Sequence, residues 1–113
     1  MTQYLISFPS CAMNVSAEEL PSVTAAAHAV VREAKAAGVW VFGGGIDESV
    51  KPLRIDGDGN AKPGTYPQTA RIEGGYSVLE LPSAEAAVEW AAKIARACCC
   101  AQKVRAFPYD PES

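Results

Sequence analysis

The sequence lacks several features that assign a chain to a broad functional class. No apolar run approaches the roughly 18 residues of a membrane-spanning helix, and no basic segment precedes the short apolar stretch at the N-terminus, so neither a membrane span nor export is predicted. Basic residues never cluster in threes, and 10 Lys and Arg are outnumbered by 13 Asp and Glu. The positive patch that nucleic acids require is therefore missing. We expect a cytoplasmic protein with no membrane or nucleic-acid partner.

Cysteine and histidine are too few, or too poorly spaced, for a recognisable metal centre. The chain has four cysteines, of which three are consecutive at residues 98–100, and a single histidine. Consecutive thiols lack the C-x-x-C spacing of a zinc site, and vicinal cysteines form strained disulfides. Cys98 continues the apolar stripe of the helix before it, whereas Cys99 or Cys100 is the candidate for an exposed thiol. We expect neither a metal nor a cofactor.

Two short motifs begin like ligand loops but do not complete one. The glycines at residues 43–45 are followed by neither G-K-[ST] nor a helix start, so they predict a bend at a strand end. Asp56, Asp58 and Asn60 match the first ligands of a calcium loop. An alanine stands where the turn glycine belongs, and Pro67 stands where a bidentate Glu belongs. A hairpin turn is the better interpretation of this segment.

What the chain does contain is a regular succession of strand and helix patterns. At 113 residues, 49% of them apolar, it has the size of one domain spanning residues 1–113. Alternation or short apolar runs predict strands at residues 4–8, 39–42, 50–56, 75–81 and 102–107. Helical periodicity predicts two helices, one from residue 17 to Gly38 and one from residue 84 to Cys98.

The ends of both predicted helices carry capping signals. Ser16 and Glu19 have the spacing of a capping box, and Gly38 is placed to end the first helix in a left-handed conformation. Pro21 removes a backbone N–H that the helix needs, so we expect a kink or a short separate first turn there. Ser83 is the predicted cap of the second helix.

Each predicted helix has an apolar stripe and a polar side. Opposite the stripe of the second helix, Glu89 and Lys93 have the spacing of an i,i+4 ion pair. The stripes comprise Leu20, Val23, Ala27, Val30, Val31 and Ala34 in the first helix and Ala84, Ala87, Val88, Ala91, Ile94, Ala95 and Cys98 in the second.

The order of elements predicts an α+β, ferredoxin-like βαββαβ domain with an extra central hairpin. Such an order gives a four-stranded antiparallel sheet with both helices on one face. The other face would then expose apolar side chains to water unless something covered it. Trp40 and Phe42, in the wholly apolar second strand, would add to this exposed apolar surface. We therefore expect a homodimer formed through the sheet faces.

Residues 63–76, PGTYPQTARIEGGY, resemble the DGPF stretch of YCII-related proteins, D-G-P-[FY]-x-E-[ST]-K-E-x-[LIV]-G-G-[FY]. Residues 37–45, AGVWVFGGG, resemble the second-strand segment of that family. The W-A pair in the second helix and the V-R-A-F near the C-terminus match as well, so the resemblance covers nearly the whole chain. It implies a dimeric α/β-barrel, in a family that includes a dehydrochlorinase acting on a chlorinated aromatic.

The chain departs from the family pattern within the DGPF stretch itself. The family's Asp is Pro63 here, its Pro is Thr65, and its Lys-Glu pair is Ala70 and Arg71. The role of the DGPF Asp is therefore not carried over. Because fold analogy supports a cleft and not a particular chemistry, the function must be argued from the site.

His28 is the candidate catalytic residue. It lies about 100° from the centre of the first helix's apolar stripe, at the boundary of that stripe. YCII-related proteins with a proposed active site carry a histidine in the first helix and an aspartate shortly after it. The resemblance therefore implies His28 as a general base with Asp47 as its orienting partner. The alternative is a boundary histidine without a partner.

Three further residues are candidates for ligand contact, and two functions stay open. Arg54, Tyr66 and Arg71 are polar residues of the irregular middle that can line a cleft, or can equally be ordinary surface residues. The first hypothesis is a small-molecule-binding or partner-regulating module. The alternative is an enzyme of the lyase or isomerase type, acting on a small aromatic or carbonyl substrate with His28 as its base.

Overall fold

The computed structural model describes residues 1–9, 14–69 and 74–113. Its elements are β1 (Thr2–Pro9), α1 (Leu20–Ala36), β2 (Trp40–Gly45), β3 (Leu53–Ile55), β4 (Ala61–Pro63), β5 (Gly74–Leu81), α2 (Ala84–Cys98) and β6 (Lys103–Ala106). A 3₁₀ turn at Pro67–Thr69 lies between β4 and β5. This order confirms the predicted α+β, ferredoxin-like arrangement with a hairpin in its middle.

The main sheet has the strand order β2-β5-β1-β6, and its neighbouring strands are antiparallel. Alternate side chains of each strand point to opposite faces. Tyr4 and Leu79, which are paired across β1 and β5, lie on the face that the helices cover. Leu5, Phe42 and Val78 lie on the other face, which we call the open face. Within the described part of the chain, no helix covers the open face.

The core lies between the two helices and the covered face of the sheet. Ile6, Leu79 and Leu81 are its largest fully buried side chains. The burial of Cys98 confirms that this thiol continues the apolar stripe of α2. The buried cluster comprises Tyr4, Ile6, Ala34, Leu79, Leu81, Ala87, Ala91, Ile94 and Cys98.

Some members of the predicted stripes lie outside this core. Leu20 is 47% exposed and Val88 is 62% exposed. Leu20 is the first residue of α1, at the edge of the packed region. Val88 follows buried Ala87, and one residue along a helix rotates the side chain by about 100°, here toward solvent.

The helix ends follow the predicted caps except at the start of α1, which begins at Leu20 and not at residue 17, and whose N-cap residue, Glu19, makes no side-chain capping bond. Residues 17–19 form a turn of their own, with the Ser16 hydroxyl accepting from the Glu19 N–H at 3.2 Å, and α1 begins with Pro21 in its first turn. This confirms the short separate turn expected from that proline. Gly38 follows α1 with a φ of 75°, and Ser83 accepts from the Ala86 N–H at 3.1 Å to cap α2.

Strand β2 differs from its prediction in two respects. It continues through residues 43–45, which pair with β5, so the expectation that these glycines break the strand is wrong. A register shift between Trp40 and Phe42 also places the two rings on opposite faces, although simple alternation predicts one face. Trp40 packs against the core, whereas Phe42 is 67% exposed on the open face. Of these two rings, only Phe42 therefore adds apolar surface to the open face.

The central hairpin of β3 and β4 is confirmed, and its turn has no need of a cation. The Asp56 N–H donates to the Asn60 carbonyl at 2.8 Å, and Gly59 takes a φ of 88° between them. The Asp58 carboxylate accepts from both the backbone and the side-chain N–H groups of Asn60. The acidic residues thus stabilise a hairpin turn. The predicted strand at residues 50–56 is shorter, limited to Leu53–Ile55.

Lys93 joins the two helices instead of pairing along its own. Its ammonium group forms an ion pair with Glu33 of α1 and lies 4.5 Å from the centre of the Trp90 ring. No ion pair between Glu89 and Lys93 is found in the described part of the chain, so the predicted i,i+4 pair is wrong. The Glu33 carboxylate on the facing helix and the Trp90 ring together attract this cation more strongly than Glu89 does.

Neither helix in the described ranges is both long enough and apolar enough to cross a membrane. The compartment of the protein stays a prediction.

Candidate functional site

A cavity of about 380 Å³ lies between the helices and the covered face of the sheet. Helix α1 lines it with small and branched apolar side chains, among them Ala27 and Val31, and α2 lines it with Trp90 and Ile94. His28 and Lys35 of α1 also line the cavity and are themselves solvent-exposed, so they mark its mouth. We call this space the helix-side cavity.

The floor of the helix-side cavity consists of two aromatic rings that lie against glycines. A Cβ atom on Gly43 would stand 2.4 Å from Cη2 of Trp40, and one on Gly75 would stand 2.5 Å from Cε1 of Phe8. Either atom would force its ring to move, because real Cβ atoms do not approach so closely. Gly44, by contrast, has open space where its Cβ would be. The rings can therefore lie over the sheet only because residues 43 and 75 have no side chain.

The polar groups of the cavity are few and lie mainly at its mouth. His28 and Lys35 are seven residues apart on α1, or about two helical turns, and so share one side of the helix. Ser77 and Gln102 add a hydroxyl and an amide, and the Gln102 amide also donates to the Cys100 carbonyl at 3.4 Å. Within the described ranges, no Asp or Glu lines the cavity. The site can thus hold a mainly apolar molecule with few polar contacts.

The structure places His28 at the cavity but does not bring Asp47 to it. The Asp47 carboxylate accepts from the Ser49 hydroxyl at 2.5 Å and from the Ser49 N–H at 3.0 Å. These hydrogen bonds hold the pKa of Asp47 below its ordinary value. Among the residues described, no ion pair joins the His28 imidazole to a carboxylate, and Asp47 does not line the cavity. The catalytic pair stays a prediction.

The predicted ligand contacts lie apart from the cavity or outside the description. Arg54 in β3 is bound to Asp56 at 3.1 Å, and Lys62 in β4 reaches the same carboxylate at 3.1 Å. Tyr66 is 66% exposed, and neither it nor Arg54 lines the cavity. Arg71 lies outside the described residues. Ligand contact by these three residues stays a prediction.

The sequence reasoning missed the residues that shape the cavity most. The sequence patterns place Phe8 in a strand and Trp90 in the W-A pair, but they do not place either ring at a cavity. Gly75 inside a predicted strand was an available signal, since a glycine there often marks a close approach of another group. The seven-residue spacing of His28 and Lys35 was another.

The thiols at the end of α2 have unequal surroundings. Cys98 is buried and lines the cavity, and burial, with smaller effects of Cys100 and Cys99, raises its pKa. Burial also raises the pKa of Cys100. Cys99 is exposed, at a left-handed φ of 57° just after the helix. Because thiolates and not thiols react, Cys98 is an apolar part of the cavity wall at neutral pH.

A second concavity, of about 680 Å³, lies at the other side of the sheet. Val78 and Glu80 of β5 line it together with Phe107 and Tyr109 of the C-terminal segment. The side chain of Tyr109 is 89% exposed. We call this space the C-terminal groove. Among the described residues that line it there is no glycine against which an aromatic ring could lie.

The comparison with protein families agrees with the fold and covers the site. A family model described as the YCII-related domain matches residues 3–104. No curated protein matches the chain. The matched segment runs from β1 into β6 and contains every residue that lines the helix-side cavity. The chain belongs to the family of YCII-related domain proteins.

Proposed function

We propose that this protein is a binding module that holds a small, planar, mainly apolar molecule in the helix-side cavity. One observation carries the proposal: Gly43 and Gly75 make room for the Trp40 and Phe8 rings to form an aromatic floor. Planar molecules gain from stacking on such rings. A role in regulating a partner, the other part of the predicted function, would then depend on whether this ligand is bound.

The size of the cavity supports the same proposal. About 380 Å³ falls within the range of roughly 300–1,000 Å³ that is usual for small-molecule sites. Larger side chains at Ala27 and Ala34 would fill part of the space. Their small size is consistent with a space kept for a ligand.

The test uses the intrinsic fluorescence of the protein, because both of its tryptophans, Trp40 and Trp90, line the cavity. We expect 4-methylbenzamide, a planar aromatic, to change this emission saturably, and cyclohexanecarboxamide to change it much less. Ala27→Phe fills the cavity and should abolish the response. Ala29→Phe, at an exposed position of the same helix, is the matched control. Equal binding by Ala27→Phe and Ala29→Phe would contradict the proposal.

An enzyme is the second proposed function, favoured by the position of His28 at the cavity mouth. An imidazole there can take a proton from a bound molecule that has an acidic C–H beside a carbonyl, as a lyase or isomerase requires. Asp47 would orient this base only if its carboxylate exchanged Ser49 for the imidazole. We place the binding function first because this orienting contact is missing.

Solvent deuterium exchange separates the two functions. Acetophenone has acidic protons beside its carbonyl, and NMR follows their replacement by deuterium. An enzyme should speed this exchange, and His28→Gln should remove the effect while the fluorescence response to acetophenone persists. Asp47→Asn should slow the exchange if the pair forms. Fluorescence evidence of binding without faster exchange would leave only the binding module.

We also propose that a second copy of the chain covers the open face. Phe42 is 67% exposed there and adjoins the partly buried Leu5 and Val78. Burying apolar surface contributes about 25 cal/mol per Å², so an uncovered face of this kind favours association. Ligand contact by Arg54, Tyr66 and Arg71 also stays part of the proposal, because polar residues of the irregular middle of the chain can line a cleft. Tyr66→Ala should then weaken ligand binding.

A further inference from the structure

We propose that the mouth of the helix-side cavity selects an anion, so that the ligand is a small planar aromatic carboxylate. Its ring would lie over the Phe8 and Trp40 side chains, and its carboxylate would meet Lys35 and His28. This inference rests on the proposed binding function and adds the chemical class of the ligand.

The charges around the cavity carry the inference. The chain is acidic, with a net charge of −3, yet the described lining contains one ammonium group and no carboxylate. Lys93 pairs with Glu33, and Lys62 and Arg54 pair with Asp56. The other described Lys and Arg residues that have no ion pair, Lys35 excepted, do not line the cavity. Lys35 has no ion pair among the described residues. A cation without a counterion beside an apolar space is arranged to receive an anionic group.

The helix geometry places the two polar groups on one side of the cavity mouth, about 10.5 Å apart along the helix axis. Because helical side chains lean toward the N-terminus, the long and flexible Lys35 side chain extends toward His28, over the turn that holds Val31. An imidazole N–H and an ammonium group are both hydrogen-bond donors to a carboxylate. The partly apolar surroundings strengthen such contacts relative to water.

Lys35 also has an ordinary structural role with which binding must be compared. It lies in the last turn of α1, where a cation offsets the negative end of the helix dipole. That role changes thermal stability, but it does not make the protein distinguish a charged ligand from a neutral one. The discriminating measurement is therefore a ratio of affinities.

Calorimetric titration of the intact protein with 4-methylbenzoate and with neutral 4-methylbenzamide tests the inference. The wild type should bind the carboxylate about tenfold more tightly than the amide. Lys35→Met should remove most of this preference and leave amide binding unchanged, and Lys35→Arg should restore it. Lys51→Met, at an exposed lysine outside the cavity lining, is the matched control and should keep the preference.

Failure of the inference and failure of the proposed function are distinguishable. Equal affinity for the two compounds, or an unchanged preference in Lys35→Met, overturns the selection of an anion and leaves the aromatic-binding site intact. Absence of binding by both compounds overturns the site itself and the inference with it. A preference that weakens as ionic strength rises supports the ion-pair contact.

Discussion

At the scale of single residues, two glycines leave room for the aromatic rings that form the floor of the helix-side cavity. Gly75 is paired with Phe8, and the Phe8 ring occupies the space that a side chain at position 75 would need. The Trp40 ring likewise occupies the space that a side chain at position 43 would need. Sequence periodicity gave no indication of these contacts, because alternation describes which face a residue occupies and not what lies above it. The position of His28 at the boundary of α1 was predictable for the opposite reason, since it depends on helical period alone.

The glycine at position 75 is expected to be intolerant of even a methyl group. Gly75→Ala should lower the free energy of unfolding by about 1–3 kcal/mol, because its Cβ would overlap the Phe8 ring. It should also weaken ligand binding by displacing the floor. Gly44→Ala, where nothing lies within 4 Å, is the control in urea unfolding. Similar losses for Gly75→Ala and Gly44→Ala would show that strand glycine alone, and not the ring contact, matters.

The buried thiols predict a loss of stability at alkaline pH. Because the pKa of Cys98 is raised in the folded state, its contribution is complete below the ordinary thiol pKa and is lost as pH rises through the raised value. The free energy of unfolding should therefore fall as the pH rises above the ordinary thiol pKa of about 8.5. Cys98→Ala should be less stable throughout but show a shallower fall, whereas Cys99→Ala should keep the wild-type slope. Equal slopes in all three proteins would contradict this account.

Secondary-structure elements were predictable where a local signal exists. The cap at Ser83, the end of α1 at Gly38 and the turn before Pro21 each depend on one residue and its neighbours in sequence, and each is found. Strand β2 was not predictable, because its bulge and its extension through three glycines are set by pairing with β5. Tertiary pairing overrides local propensity in strands more than in helices.

Helix α2 is expected to depend on its N-terminal cap. Ser83→Ala removes the hydroxyl that accepts from the Ala86 N–H and should lower the free energy of unfolding by about 1 kcal/mol. Ser83→Asp supplies another acceptor and should retain most of the stability. Chemical denaturation of the three proteins measures this difference. A fully stable Ser83→Ala protein would mean that the core contacts of α2 hold its first turn without the cap.

At the scale of the molecule, a single chain leaves one sheet face uncovered. The extents of 43 × 42 × 20 Å describe a flat shape, and the radius of gyration of 15.6 Å exceeds the roughly 13 Å usual for a compact domain of this length. The sequence predicted the uncovered face from the order of elements. It could not show that Trp40 belongs to the cavity and that, of these two rings, only Phe42 is exposed on the open face.

Sedimentation velocity is expected to find a dimer that depends on Phe42. At micromolar concentration the wild type should sediment as two chains, and Phe42→Lys as one, because a lysine on the open face would bury an unpaired charge in the interface. Val88→Lys, at a similarly exposed valine on α2, should remain a dimer. A wild type that sediments as one chain would contradict the proposed covering of this face.

The position of a bound ligand tests the account most directly. Intermolecular nuclear Overhauser effects can be recorded between 4-methylbenzoate and the protein, whose one histidine and two tryptophans all line the helix-side cavity. We predict contacts from the ligand ring to the indole protons of Trp40 and Trp90, and to the imidazole of His28. Contacts confined to Phe107 and Tyr109 of the C-terminal groove would contradict the account.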